Sequence, residues 1–203
     1  KKKRQDIIIG TKFGYDLKTP RWGHHKERAQ RWDPEFIREA CEDSLRRLGT
    51  DYIDLYQLHN TRIETVQDDE VFDTLDALVK EGKLRHYGVA LGPDIGWRAE
   101  GEAAMAERKV PSIQIIYSII EQQPARDFFT FAHDNNTGLL ARVPHASEIL
   151  TDEFTNQVKV EFDESDHRAH RKQEWLDTAF EKRNRVLFIA QETGRTLAQA
   201  AIQ

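Results

Sequence analysis

Short apolar runs alternate with amphipathic helical segments along this 203-residue chain, and that alternation constrains the fold more than any other feature. Nearly continuous apolar runs are typical of parallel strands that helices cover on both sides. Their ends are separated by roughly 25 to 50 residues, which suits β-α-β units. We therefore predict an α/β fold with five strands, at 6–13, 51–59, 84–91, 112–117 and 138–145.

Capping residues mark the helices between these strands. Asp33 is suited to cap a helix that begins at Pro34 and ends at Gly49. A capping-box pattern at Thr196 predicts the start of a last helix. The remaining helices are predicted at 68–82, 97–108, 124–134 and 167–193, the last with a break near Asn184.

Two architectures satisfy this alternation, a doubly wound open sheet and part of an eight-stranded barrel. The chain begins at a lysine, and the helix that starts at Thr196 is cut short at Gln203. We therefore expect residues 1–203 to form a single domain that is the central portion of a larger protein, with segments missing at both ends. This expectation favours the incomplete barrel.

Composition narrows the class of protein. A net charge of -5 argues against a nucleic-acid binder, because no basic face survives among the acidic residues. The sequence has no apolar stretch of about 20 residues, so we expect no membrane span. Cys41 is the one cysteine, which excludes internal disulfides and favours a cytoplasmic location.

Two titratable side chains end apolar strands, Lys12 on the first and His59 on the second. In a parallel α/β protein the carboxyl ends of the strands face the loops that build active sites. We therefore expect both side chains to open onto one rim. The sequence has no glycine-rich phosphate loop and no strong metal motif, so any nucleotide must bind in another way.

An ordered set of motifs resembles the aldo-keto reductase superfamily, in particular its bacterial branch with Arg-Val-Pro after the seventh strand. The matching segments are Gly10–Gly14, Ser44–His59, Glu81–Val89, Gln114–Tyr117, Arg142–Ser147 and Glu192–Ile202. The resemblance implies a TIM (β/α)8 barrel, incomplete here, with about strands 3 to 7 and their helices.

The same resemblance implies an oxidoreductase that reduces small aldehydes or ketones to alcohols by hydride transfer from NADPH, with NADH as the other cofactor. The family uses an Asp, Tyr, Lys and His tetrad, to which Lys12 and His59 correspond. We expect the aspartate and tyrosine to precede Lys1, so this chain alone is expected to be inactive. The histidine would orient the carbonyl oxygen, and the lysine would lower the pKa of the tyrosine.

The resemblance also implies a cofactor site. Its predicted residues are Gln114 at the nicotinamide carboxamide, Arg142 at the ring or a phosphate, and Val143, Pro144, His145 and Ser147 along the pyrophosphate. Glu148 and Asp152 replace glycines that are common in this loop. Because the polar, aromatic loop 15–32 follows the Lys12 strand, we expect Trp22 to contact substrate together with Asn60, which follows His59.

Two other functions stay open from the sequence. Some relatives of this superfamily are nucleotide-binding barrels with a regulatory or interaction role, and absence of the tetrad aspartate and tyrosine would favour that alternative. A metal-dependent barrel hydrolase could use His59 and His145, which both end strands. Bound zinc would favour this second alternative.

Overall fold

The structure, a computed structural model, describes residues 3–20, 28–92, 97–123, 125–151, 162–163, 166 and 173–203. Its strands are β1 (Gly10–Phe13), β2 (Ile53–His59), β3 (Leu84–Ala90), β4 (Ser112–Ile116) and β5 (Gly138–Arg142). Its α-helices are α1 (Pro34–Leu48), α2 (Ile63–Val66), α3 (Asp69–Lys80), α4 (Arg98–Ala106), α5 (Ala125–Asp134), α6 (Gln173–Thr193) and α7 (Leu197–Ile202).

The five strands form one sheet in the order β1-β2-β3-β4-β5. The β1–β2, β2–β3 and β3–β4 pairs are parallel, so each of these strands lies beside its predecessor in the sequence. A doubly wound sheet reverses its strand order at a switch point, and this sheet does not. The alternation predicted from the sequence is confirmed, and its order is that of a barrel.

The described residues fall into two compact units. The first comprises 3–20, 28–92, 97–115 and 127–140, and the second comprises 116–123, 125–126, 141–151, 162–163, 166 and 173–203. In the first unit, fully buried Ile37, Ile53 and Leu75 belong to the core between helices and sheet. In the second unit, Ile149 and Leu150 pack in a core cluster with residues of α6 and α7.

Local capping explains where the helices begin and end. The Asp33 carboxylate accepts a hydrogen bond from the backbone N–H of Phe36 at 2.9 Å, and the pKa of Asp33 is lowered by this bond and by the Arg31 guanidinium. Gly49 ends α1 with a φ of 63°, a conformation that glycine adopts without steric cost. Thr196 forms the predicted capping box of α7.

The largest differences from the prediction are two strand boundaries and one helix break. β1 begins at Gly10, because the backbone N–H of Ile9 donates to the Asp54 carboxylate and the preceding Ile8 is 86% exposed. β5 ends before Val143, whose φ of 57° is incompatible with a strand. α6 continues without a break through Asn184.

A buried carboxylate anchors the first residue pairs of the sheet. The Asp54 side chain is 6% exposed and contacts the Arg4 guanidinium at 2.6 Å, the Arg85 guanidinium at 2.9 Å and the Ile9 N–H at 2.9 Å. Both guanidinium groups stack on the Tyr52 ring, with their carbons 3.9 and 4.3 Å from its centroid. Burial alone raises the pKa of Asp54, but the Ile9 hydrogen bond and the two arginines hold it below its ordinary value.

We expect Asp54→Asn to lower the free energy of unfolding by about 1–3 kcal/mol, because charge-assisted bonds to Arg4 and Ile9 are lost. The folded-state pKa of Asp54 lies below the unfolded value. The stabilisation is therefore complete above the unfolded pKa of about 3.9 and is lost as pH falls through the folded pKa. Urea denaturation at several pH values measures this difference.

Asp43→Asn is the control, because Asp43 pairs with Arg46 and Arg47 on the exposed surface of α1. Surface pairs of this kind contribute about 0–1 kcal/mol. Equal unfolding free energies for Asp54→Asn and the unsubstituted chain at neutral pH would contradict the assigned role of Asp54.

Candidate active site

The register of β1 and β2 places Lys12 and His59 on one face of the sheet. Lys12 lies opposite Gln57, and residues in register on neighbouring strands point to the same side. Gln57 and His59 are two residues apart on β2, so their side chains also share a face. Lys12 and His59 are therefore diagonal neighbours at the carboxyl ends of adjacent strands.

The opposite face is apolar and packs toward α1. The Phe13 and Tyr56 rings stack with centroids 4.4 Å apart. Tyr56 is fully buried, and burial raises the pKa of its phenol far above the ordinary value. Burial therefore favours the neutral phenol, and the Tyr56 ring packs as part of this apolar face.

A row of residues extends this face across two further strands. His59 lies opposite Ala90 on β3, and Ala90 lies opposite Gln114 on β4. Because neighbouring strands are about 4.8 Å apart, His59 and Gln114 lie about 10 Å apart along the row. In this row only the methyl group of Ala90 stands between them.

Gln57 adds a buried amide to the same face. Its side chain is 2% exposed, and its Nε2 has no hydrogen-bond partner among the described residues. The face that carries Lys12 and His59 therefore also includes a buried polar group.

The segment after β1 forms a short antiparallel ladder with residues 29–31. Tyr15 and Gln30 form an isolated β-bridge. The Asp16 N–H donates to the Ala29 carbonyl at 2.8 Å, and the Arg31 N–H donates to the Gly14 carbonyl at 2.8 Å. Trp22, which we expected to contact substrate, lies between these two segments and outside the described residues.

Side chains of this ladder contact the end of β2. The Gln30 amide donates to the carbonyl oxygens of His59 at 2.8 Å and Asn60 at 3.2 Å. The Asn60 amide donates to the Tyr15 hydroxyl at 2.9 Å, and the Tyr15 ring lies edge-on to the His59 ring with centroids 4.9 Å apart. Neither Tyr15 nor Gln30 was predicted as a site residue. Tyr15 lies three residues after Lys12, and this proximity is the signal that could have indicated it.

The predicted phosphate loop belongs to the second unit. His145 Nδ1 accepts a hydrogen bond from the Glu148 N–H at 2.8 Å. The buried side chains of Ala146 and Ile149 join the core cluster that includes residues of α6 and α7. Backbone hydrogen bonds, among them Ala146 N–H to the Val143 carbonyl at 2.9 Å, also hold the loop. Arg142, Val143, Pro144 and His145 are half-buried.

Three consecutive residues of this loop have left-handed backbone conformations. The φ angles are 51° for Ala146, 54° for Ser147 and 70° for Glu148. Such angles favour glycine, and the family resemblance implies a glycine where this chain has Glu148. The second replaced glycine position, Asp152, lies outside the described residues.

Within the first unit, the structure thus brings together Lys12, His59, Asn60 and Gln114. Arg142, Val143, Pro144, His145 and Ser147 lie together in the second unit. Among the described residues, no group of three or more His, Cys, Asp or Glu side chains could hold a metal ion. None of the helices in the described part of the chain combines the length and apolar character needed to cross a membrane.

Comparison with known proteins gives a consistent family match. The model of the Aldo/keto reductase family matches residues 1–203. The uncharacterized oxidoreductase YqkF of Bacillus subtilis is 33% identical over 158 residues, which cover 76% of this chain and 47% of that protein. The aldo-keto reductase yakc [NADP(+)] of Schizosaccharomyces pombe is 30% identical over 169 residues, covering 82% and 46%. The chain spans about half the length of these curated relatives.

Solved structures show the same fold. A glycerol dehydrogenase from Gluconobacter oxydans superposes with a TM-score of 0.76 at 24% identity, covering 98% of this chain and 60% of that one. An aldo-keto reductase from Bacillus halodurans, in its holo form, gives a TM-score of 0.62 at 31% identity, covering 78% and 49%. The fold is the TIM barrel predicted from the sequence, represented here by five of its strands.

We expect Gly14→Ala to disrupt the ladder that follows Lys12. Gly14 has a φ of 124°, and an added Cβ would clash with the Trp32 ring. Overpacking of this kind costs about 1–3 kcal/mol, and the unfavourable φ adds to it. Urea denaturation measures the loss, and a shift in tryptophan fluorescence reports the displacement of Trp32.

Gly49→Ala is the matched control, since its φ of 63° is also positive but an added Cβ meets nothing within 4 Å. It should cost about 1–2 kcal/mol and leave tryptophan fluorescence unchanged. If the two variants behaved alike, the Trp32 contact would not constrain Gly14.

Proposed function

Because this chain belongs to the aldo/keto reductase family, we propose that the whole protein is an NAD(P)H-dependent oxidoreductase that reduces aldehydes or ketones to alcohols. The relative from Schizosaccharomyces pombe is named as an aldo-keto reductase of NADP(+). We therefore propose NADPH as the hydride donor, with NADH as the alternative, and a small carbonyl compound as the substrate.

One observation carries the proposal: the common face shared by Lys12, His59 and Gln114. Hydride transfer to a carbonyl carbon develops negative charge on the oxygen, which needs oriented donors and a proton. His59 would orient that oxygen. The Lys12 ammonium would favour the ionised form of the tetrad tyrosine and so lower its pKa. Lys12 and His59 are the two members of the tetrad that we propose for residues 1–203.

NADPH or NADH would supply the hydride when bound, and the residues of this chain would hold the cofactor. The Gln114 amide carries both a donor and an acceptor, the pair that a carboxamide group requires. Ala90, which lies beside Gln114 in register, contributes only a methyl group to the same face.

The loop of the second unit would hold the phosphates. His145 accepts a backbone N–H at Nδ1, so its neutral ring carries the proton at Nε2 and can donate to a phosphate oxygen. Ser147 adds a hydroxyl, Val143 and Pro144 would form the wall of the loop, and the Arg142 guanidinium would either stack on a ring or pair with a phosphate.

We also propose the domain organisation and the substrate contacts. A family match that spans residues 1–203 supports one barrel domain for the chain. Trp22 and Asn60 are the proposed substrate contacts, since each follows a strand that carries one of the two proposed catalytic residues.

We propose the cytoplasm as the compartment. Cys41 is buried and its thiol pKa is raised to about 11, so it would stay a reduced core residue there.

In the whole protein, we expect Lys12→Met to lower kcat for aldehyde reduction by about 10²- to 10⁴-fold, because the charge that favours the tyrosinate is lost. NADPH should still quench protein fluorescence with a Kd within about threefold of the unsubstituted value, since Lys12 is not proposed to bind it. Steady-state kinetics and fluorescence titration measure the two effects.

Lys18→Met is the control, because Lys18 is an exposed lysine that pairs with Glu39 at the surface. Its kcat should be unchanged. Loss of NADPH quenching with chemistry intact in Lys12→Met would reassign Lys12 to cofactor binding. NADPH binding without any carbonyl reduction by the unsubstituted protein would favour the regulatory alternative.

We expect the purified 203-residue chain to reduce aldehydes at least about 10²-fold more slowly than the whole protein. The physical reason is that residues 1–203 are proposed to supply only Lys12 and His59 of the tetrad. An NADPH absorbance assay with small aldehydes compares the two proteins. Equal rates would show that residues of this chain complete the site.

A further inference from the structure

We propose that Tyr15, Gln30 and Asn60 act together as positioning residues that fix the orientation of the His59 imidazole. This inference rests on the proposed function, in which His59 acts on the carbonyl oxygen. None of the three residues needs to touch the reacting atoms. Each acts through contacts that converge on His59 from the ladder after β1.

The first step is the backbone of the His59–Asn60 peptide. Gln30 Nε2 carries two N–H groups, and the carbonyl oxygens of His59 and Asn60 lie within hydrogen-bond distance of it, at 2.8 and 3.2 Å. Gln30 is itself fixed by its β-bridge to Tyr15. The ladder and the end of β2 are therefore tied together at the residue that carries the imidazole.

The second step is the turn at Asn60. Its φ of 54° lies in the left-handed region, which asparagine tolerates better than most residues. Its backbone N–H donates to the Ala90 carbonyl at 2.9 Å, which continues the β2–β3 pairing by one bond. With the backbone held in this way, the side chain, only 9% exposed, reaches the Tyr15 hydroxyl at 2.9 Å.

The third step is the contact with the imidazole. The bridge to Gln30 fixes the backbone of Tyr15, and the bond from Asn60 fixes its hydroxyl. The phenol ring between these two points meets the His59 ring at an interplanar angle of 79° and a centroid distance of 4.9 Å. A ring fixed at both ends restricts rotation of the neighbouring imidazole, and edge-on aromatic contacts favour this geometry.

Orientation affects rate more than binding. A displacement of a reacting group by about 1 Å can cost about 10²-fold in rate, while ground-state affinity changes little. Tyr15→Leu in the whole protein should therefore lower kcat by about 10- to 100-fold, with the KM for aldehyde and the Kd for NADPH within about threefold. Tyr15→Phe keeps the ring but loses the bond from Asn60, so its kcat should lie between those of Tyr15→Leu and the unsubstituted protein.

The spectroscopic test follows the imidazole directly. In ¹H–¹⁵N correlation spectra of the apo protein, the His59 ring signals should be sharp in the unsubstituted chain and shifted or broadened in Tyr15→Leu. Asn60→Gly is the second variant, because glycine retains the positive φ but removes the bond to Tyr15. It should change the same signals in the same direction.

Tyr87→Phe is the matched control for loss of a hydrogen-bonded tyrosine hydroxyl, since Tyr87 donates to Asp76 at 2.8 Å away from this cluster. It should leave kcat and the His59 signals unchanged. Unchanged His59 signals in both Tyr15→Leu and Asn60→Gly would overturn the inference. Absence of carbonyl reduction by the unsubstituted protein would instead overturn the proposed function, and the ring signals would still decide the positioning role.

Discussion

Register between the parallel strands is the constraint on which the candidate site depends. A shift of β2 by one residue would turn His59 to the apolar face and bring Tyr56 or Leu58 onto the polar one. Asp54 opposes such a shift from the other end of the strand, because its carboxylate binds Ile9 before β1 and Arg85 on β3. A buried ionic contact at the start of β2 thus fixes the register of this strand, and with it the position of His59 at the strand end.

Local signals made much of the fold predictable from the sequence. The Asp33 cap, the left-handed Gly49 and the Thr196 capping box each depend on neighbours within a few residues, so their sequence patterns are sufficient. The position of Lys12 and His59 at strand ends was also predictable, because strand polarity in a parallel sheet carries all such ends to one edge. The roles proposed for these residues depend instead on the family resemblance.

Contacts between distant residues were not predictable. Ile7 and Ile8 look like the start of a strand, but the group that binds the Ile9 N–H is a carboxylate 45 residues away. The contacts of Gln30 with the His59–Asn60 peptide span 29 and 30 residues and carry no local pattern. Val143, a β-branched residue with a φ of 57°, likewise gives no turn signal in the sequence.

The site therefore combines two kinds of support. Lys12, His59 and Gln114 stand on strands whose register is fixed by the sheet, which holds reacting groups more closely than loops do. The ladder of residues 14–16 and 29–31 brackets a loop, and loops accept changes in length and sequence more readily than strands. Because that ladder also contacts the His59 peptide, we expect a substitution that displaces Gln30 to alter the geometry of the proposed site.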